Sequence, residues 1–520
     1  MVSTSTRVTL ADGVVEGVRD RAIVRWRGIP FAAPPVGDLR LRAPQPAIGW
    51  EGVLKADSFR NAAPQNPKYA LVERGRKQPV SEDCLTVNVV APARTSNKPR
   101  AVMVFIHGGA YILGSTATPL YYGHDLVRRG DVIFVSMNYR LGPLGYGDFT
   151  RYSTPERPFE TNLGLRDQVA ALQWVKDNIA DFGGDPDNVT IFGESAGGNA
   201  VTTLMATPAA GGLFHRAIAE SSAPMLTLHQ HYAQRFADKM GELLIADTGI
   251  SDVAEALASA SLAEIGRAGH RLARWVTKDT PGLLPFGPVV DGDYLPVAPV
   301  EAFADGSAHQ VPMIIGTNKN EGTLFKRLPQ GMLSTEEVIT EMFANTEPDA
   351  QDRITAAYNG YPSPRSMVQF GGDYIFWVGS VAVTQAHSEH APTYAYRYDY
   401  SPKVMRWMGL GATHASELLA VFGIYRGKAG RLLTQLGDRR DALRVTGEVQ
   451  DQWLSFAKTG EPLSSWPPYT PKVRATRIFD KHSYVEVDPM RARREAWNGF
   501  GDYAAKVPGA EAAEETLENV

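Results

Sequence analysis

Val189-Thr190-Ile191-Phe192-Gly193-Glu194-Ser195-Ala196-Gly197-Gly198 places the pattern G-x-S-x-G between a short apolar run and a helical stretch, Asn199-Ala200-Val201-Thr202-Thr203-Leu204-Met205. A strand that reverses at once into a helix holds the serine on a strained turn, with its hydroxyl exposed at the sheet edge. Gly193 and Gly197 give that turn room because they lack Cβ. The helix then aims its free N–H groups and positive dipole end at whatever reacts with Ser195. The competing reading, a chance G-x-S-x-G in a loop, lacks this strand–elbow–helix setting.

Working outward, other short apolar runs appear at Ala101–Ile106, Val132–Ser136 and Val311–Ile315. Continuous apolar runs of this length fit strands buried on both faces, as in a mainly parallel sheet. Leu165, Val169, Leu172, Val175 and Ile179 recur at helical spacing and stop at Gly183-Gly184, so strand, helix and strand alternate and the class is α/β. Arg7–Leu10, a turn at Asp12-Gly13 and Val14–Val18 read as a hairpin, and residues 30–50 as a long loop. Residues 225–280 and 328–390 are rich in Ala, Leu, Glu and Gln and read as helical insertions.

Serine attack on a carbonyl makes an oxyanion that needs preorganised donors. One is the amide after the nucleophile, Ala196. The others are expected from the Gly-rich loop His107-Gly108-Gly109-Ala110 after the run ending at Ile106. In this chain order the acid and then the base follow the serine. His414 sits in a loop before an apolar helix. His387 and His390 lie in a helical pattern, and His482 in a strand-like run, Ile478–Tyr484. Glu321 follows a buried strand, whereas Asp291 and Asp293 lie in a Val-Val-Asp-Gly-Asp turn that explains them locally. The residues favour His414 and Glu321 and leave the others open.

The 520 residues carry 53 Lys+Arg and 57 Asp+Glu, a net charge of −4, which gives no reason to expect nucleic acid or an anionic membrane as partner. One cysteine, Cys84, excludes an intrachain disulfide and a multi-cysteine zinc site. The close pairs His229/His231 and His387/His390 do not match the H-E-x-x-H spacing. No apolar run reaches membrane-span length, and the first residues have no signal-peptide core, so the expected location is cytoplasmic and the sequon at Asn188 is read as chance.

The chain resembles the type B carboxylesterase/lipase family, the cholinesterase-like branch of the α/β-hydrolases, and within it bacterial esterases of the para-nitrobenzyl type. The match runs through Arg27-Gly28-Ile29-Pro30-Phe31-Ala32, Ser81-Glu82-Asp83-Cys84-Leu85, His107-Gly108-Gly109-Ala110, Asn138-Tyr139-Arg140-Leu141-Gly142, Phe182-Gly183-Gly184-Asp185-Pro186, Gly193-Glu194-Ser195-Ala196-Gly197, Asn320-Glu321-Gly322 and Gly411-Ala412-Thr413-His414. The resemblance implies an α/β-hydrolase fold, a central mainly parallel sheet flanked by helices, with helical insertions forming a lid over an active-site gorge. It implies one domain over residues 1–505, followed by a polar tail, 506–520.

It also implies a Ser195–Glu321–His414 triad. The implied oxyanion donors are the amides of Gly109, Ala110 and Ala196, with Gly108 just outside. No metal or cofactor is implied, and the substrate is a small carboxylic ester. Amides, carbamates, lactones or thioesters, or a non-catalytic scaffold role, are the alternatives. Asp373, Phe376 and Trp377 fall in a segment resembling one that lines the gorge, with helix packing as the competing reading. Many relatives pair the cysteine matching Cys84 with an upstream cysteine, and Ala63 stands there in this chain. The sequence leaves monomer and homodimer both open.

Overall fold

Arg100–Ile106 and Ile133–Met137 are buried at every position, as strands covered on both faces must be. They lie inside an eleven-stranded sheet. A computed structural model describes residues 5–66, 71–72, 76–327, 335–344 and 346–500. From one edge the strands run Tyr484–Val487, Ala475–Phe479, Thr393–Tyr398, Met313–Asn318, Arg216–Glu220, Gly184–Glu194, Arg100–Ile106, Ile133–Met137, Thr86–Pro92, Ile23–Pro30 and Val18–Asp20. Pairing is parallel from Ala475–Phe479 through to Ile133–Met137 and antiparallel at both flanks. Arg7–Leu10 and Gly13–Glu16 form a hairpin in a separate small sheet with Val53–Lys55.

Successive side chains of a strand face opposite ways, and here that splits the core in two. Val102, Val104 and Ile106 join Leu172 and Val175 of helix Leu163–Asn178, and Val201 and Leu204 of helix Ala196–Met205. Met103 and Phe105 face the other way, onto Val445, Val449, Trp453 and Phe456 of helix Arg439–Thr459. These helix residues recur every three or four positions, and Gly460 closes the helix with φ 84°.

The 225–280 segment forms helices Gln230–Thr248, Val253–Ser259 and Leu262–Asp279, the last opened by a Ser261/Glu264 capping box. Within 328–390 the described helices include Glu336–Ala344, Pro364–Gly372 and Gly379–His387, the last two joined by a π-helical turn, Asp373–Val378. Residues 328–334 and the 506–520 tail lie outside the described residues. The run Ile478–Tyr484 is not one strand. It breaks into the end of Ala475–Phe479, a turn holding exposed His482, and the start of antiparallel Tyr484–Val487. No described helix is long and apolar enough to cross a membrane.

Cys84 is fully buried and unpaired, and desolvation pushes its thiol pKa well up. One charged pair is also dry. The Arg140 guanidinium donates to Asp167 through Nε (2.8 Å) and Nη2 (2.6 Å), and both side chains are buried. The Arg140 amide donates to the same carboxylate, and Nη1 donates to the Arg42 carbonyl. Removing one partner of such a pair strands the other charge. Asp167→Ala should therefore cost about 3–5 kcal/mol in denaturant unfolding. A loss under about 1 kcal/mol, the size of an exposed pair, would contradict this account.

Candidate active site

Strand Gly184–Glu194 runs between parallel neighbours Arg100–Ile106 and Arg216–Glu220 and ends one residue before Ser195. Ser195 has φ 61° and ψ −124°, a conformation that non-glycine residues rarely adopt, and helix Ala196–Met205 starts immediately after it. Neighbouring groups hold the strain in place. The Ser195 amide donates to the Glu220 carbonyl (3.0 Å), and the Asn199 amide to the Ser195 carbonyl (2.8 Å). The flanking glycines are required by space. A Cβ on Gly193 would lie 2.5 Å from the Gly197 carbonyl oxygen, and one on Gly197 2.1 Å from that of Ile106.

The loop after Ile106 is strained too. Gly109, Ala110 and Tyr111 have φ of 120°, 52° and 57°. The succession turns the backbone so that no described acceptor takes up the N–H of Gly109 or Ala110, and the Ala196 N–H at the helix start is likewise uncommitted. His107 braces the loop. Its buried ring stacks on Tyr139 at 4.6 Å, its Nδ1 lies 2.9 Å from the Gly108 carbonyl, and burial lowers its pKa to about 4. Tyr111 ties the loop to the serine helix. Its hydroxyl donates to Asn199 Oδ1, and Asn199 Nδ2 donates to the Ala223 carbonyl.

Glu321 follows strand Met313–Asn318, and His414 lies in the loop after strand Thr393–Tyr398 and helix Lys403–Trp407. A bridge between Asn320 and Thr413 draws the two loops together, with the Asn320 amide donating to the Ala412 carbonyl at 2.9 Å. The result is a 2.6 Å hydrogen bond between His414 Nδ1 and Glu321 Oε2, both side chains buried. Among the described residues, buried His414 Nε2 has no hydrogen-bond partner. Glu194 Oε1 is 3.1 Å away but out of line, and no hydrogen bond joins the ring to Ser195. Phe376 stacks on the imidazole at 4.2 Å between ring centroids, and Phe325 lies at 5.2 Å.

The alternatives are elsewhere. Asp291 accepts from Asn162 Nδ2 and from the amides of Asp293 and Leu295, which fixes its turn. His387 is buried, with Nε2 on the Val311 carbonyl, and His390 is exposed. Trp377 does not accompany Phe376. One residue further along the π-helical turn it lines a separate cavity with Ser380, Val381 and Thr384, against Ile315 and Ala395 of the sheet. Asp373, the first residue of that turn, is buried where it accepts from Arg493 and Tyr358, and burial outweighs Arg493 to raise its pKa to about 6.

Sequence reasoning missed a buried polar cluster behind the Glu321–His414 pair. Ser221 Oγ contacts Glu321 Oε1 (2.7 Å) and Glu417 Oε1 (3.0 Å) and accepts from Asn318 Nδ2 (3.1 Å). Glu321 Oε1 also accepts from the Asn318 amide (2.5 Å). A hydroxyl has one proton. If Ser221 donates it to Glu321, which only accepts, then Glu417 must donate to Ser221 and is protonated. Burial, then the charges of Glu194 and Glu321, raise the Glu417 pKa in agreement with this count. Burial raises Glu194 as well, against the pull of His414. Burial pushes His414 down, but Glu194 and Glu321 outweigh it and the net shift is upward. The signals were present in the sequence, Glu194 beside the serine and Glu417 three residues after the histidine, yet nothing local marks a residue whose partners come from distant loops.

Residues 4–495 match the family model described as "Carboxylesterase family". The para-nitrobenzyl esterase of Bacillus subtilis (strain 168) is 38% identical over 494 residues, 94% of this chain and 97% of that protein. Liver carboxylesterase 1 of Mus musculus is 36% identical over 485 residues, 86% of this chain and 83% of that protein. A solved para-nitrobenzyl (PNB) esterase structure superposes with a TM-score of 0.82 at 36% identity, covering 95% of this chain and all of that one. With its large mixed sheet flanked by helices, the fold is that of the α/β-hydrolases. The chain belongs to the carboxylesterase family.

Proposed function

We propose that the chain is a serine carboxylesterase, hydrolysing carboxylic esters through an acyl-enzyme, with Ser195 as nucleophile, His414 as general base and acid, and Glu321 as its partner. The observation that carries this reading is the strained Ser195 elbow, facing three uncommitted amides in a chain where Glu321 already holds His414. Glu321 accepts the Nδ1 proton, which leaves the lone pair on Nε2, the ring atom without a partner. That nitrogen takes the Ser195 proton as the hydroxyl attacks the ester carbonyl. A hydrogen bond absent before substrate binds is compatible with this role, because such contacts tighten in the reacting complex.

The Gly109, Ala110 and Ala196 amides receive the oxyanion. The imidazolium, stabilised by Glu321 and by Glu194 beside Nε2, then protonates the leaving alkoxide. Water repeats the sequence on the acyl-enzyme. The names of the relatives, esterases of para-nitrobenzyl and liver type, support an ester as substrate. A single cysteine, buried and unpaired, supports a reducing compartment, the cytoplasm, as its place.

A panel of p-nitrophenyl esters of graded acyl length tests the activity. Ser195→Ala should lower turnover roughly 10⁴–10⁶-fold, and a phosphonate should add its mass at Ser195. An adduct on Ser221, or full activity in the variant, refutes the nucleophile. Activity needs neutral His414, whose pKa is shifted upward, so kcat/KM should fall with decreasing pH along a limb centred above the ordinary value of about 6.5. A limb centred below it contradicts the arrangement of Glu194 and Glu321 around the ring. Glu417 Oε2 also accepts from Asn318 Nδ2, and Glu417→Gln keeps one acceptor for Asn318 and one donor for Ser221. Its cost should stay near a single neutral hydrogen bond, about 1 kcal/mol or roughly five-fold in kcat/KM. A far larger loss in a variant that melts like the parent would mean that Glu417 works as an anion.

A further inference from the structure

The net charge of −4 conceals a segregated face. Between Lys403 and Arg440 the exposed charged side chains are Lys403, Arg406, Lys428, Arg431 and Arg440, all cationic, while the only acids in that span, Glu417 and Asp438, are buried. Asp125 and Asp441, from outside the span, are held by Arg426 and Arg444. Among these cations stand large apolar side chains: Trp407 at 84% exposure, the highest of any large apolar residue described, with Leu432 at 65% and Leu436 at 50%. The pieces are contiguous. Helix Lys403–Trp407 packs on helix Lys428–Leu433, and Lys403 Nζ donates to the Leu436 carbonyl.

We propose that this face docks on an anionic phospholipid surface. A solvent-facing tryptophan and two leucines ringed by one sign of charge match a headgroup layer, where indole settles at the interface and Lys and Arg meet phosphate. A second copy presenting the same patch would set cation against cation, so charge disfavours self-association here. The face leads directly into the His414 loop, seven residues beyond Trp407, at the carboxyl edge of the parallel strands. Docking would therefore hold the site close to esters dissolved in the lipid.

Co-sedimentation of the full chain with vesicles tests this independently of turnover. Vesicles of phosphatidylglycerol mixed with phosphatidylcholine should bind the chain at low salt, pure phosphatidylcholine vesicles should not, and added salt should weaken binding. The double variant Lys428→Glu/Arg431→Glu should lose about 100-fold or more in vesicle affinity, and Trp407→Ser should also bind more weakly. Both should keep the parent's melting temperature and its turnover of a soluble ester. Equal binding by the charge-reversed variant, equal binding to both vesicle types, or no binding to the anionic ones overturns the proposal. Dimerisation without lipid that Trp407→Ser abolishes would also overturn it, making the face an interface between copies.

Discussion

The 2.6 Å hydrogen bond between His414 and Glu321 is the contact on which the site's geometry depends. It joins residues 93 apart in sequence, and nothing local in either loop would create it. The sheet does so by pairing Met313–Asn318 with Thr393–Tyr398 in parallel, so that the two loops emerge at the same edge. The Asn320–Thr413 bridge then fixes their separation, and Phe376 closes one face of the ring. A backbone amide and Ser221 serve the far oxygen of Glu321 in this dry place. Burial and the charges of Glu194 and Glu321 push the nearby Glu417 towards its neutral form, against the pull of His414 and of the Asn318 hydrogen bond.

The serine side is organised by backbone conformation rather than by ionic contacts. Ser195, Ala110 and Tyr111 all occupy positive φ, each at a steric cost of about 1–2 kcal/mol. The surrounding structure holds them. Gly193 and Gly197 let strand, elbow and helix approach to distances no Cβ permits, and the Tyr111–Asn199 hydrogen bond couples the oxyanion loop to the helix that begins at the nucleophile. Strain of this kind directs the Gly109, Ala110 and Ala196 amides away from intramolecular partners.

Much of this was legible in the sequence because it is written locally. A G-x-S-x-G between an apolar run and a helix can be read as an elbow from ten residues, and continuous apolar runs mark strands covered on both sides. Charge arithmetic was legible only as a sum, so the cationic span around Trp407 was averaged away by acids elsewhere. Glu417, Ser221 and Asn318 were not legible because they satisfy one another from three segments far apart in sequence. Trp377 could not be separated from Phe376 in the sequence, because successive residues of a helical turn point about a quarter of a circle apart, here into another cavity. His482 seemed to lie in a strand because the turn separating two antiparallel strands is short and carries no glycine or proline.

The most direct test replaces Glu321 with glutamine and compares it with Asp291→Asn, both confirmed as folded by thermal melting. Glutamine keeps the shape of the carboxylate but presents an amide to Nδ1, so the imidazole can hold the wrong tautomer and the imidazolium loses its counter-charge. The account predicts a loss in kcat on the order of 10³–10⁴-fold for Glu321→Gln and near-parent turnover for Asp291→Asn. A folded Glu321→Gln enzyme with near-parent kcat, beside a folded but inactive Asp291→Asn, would contradict it.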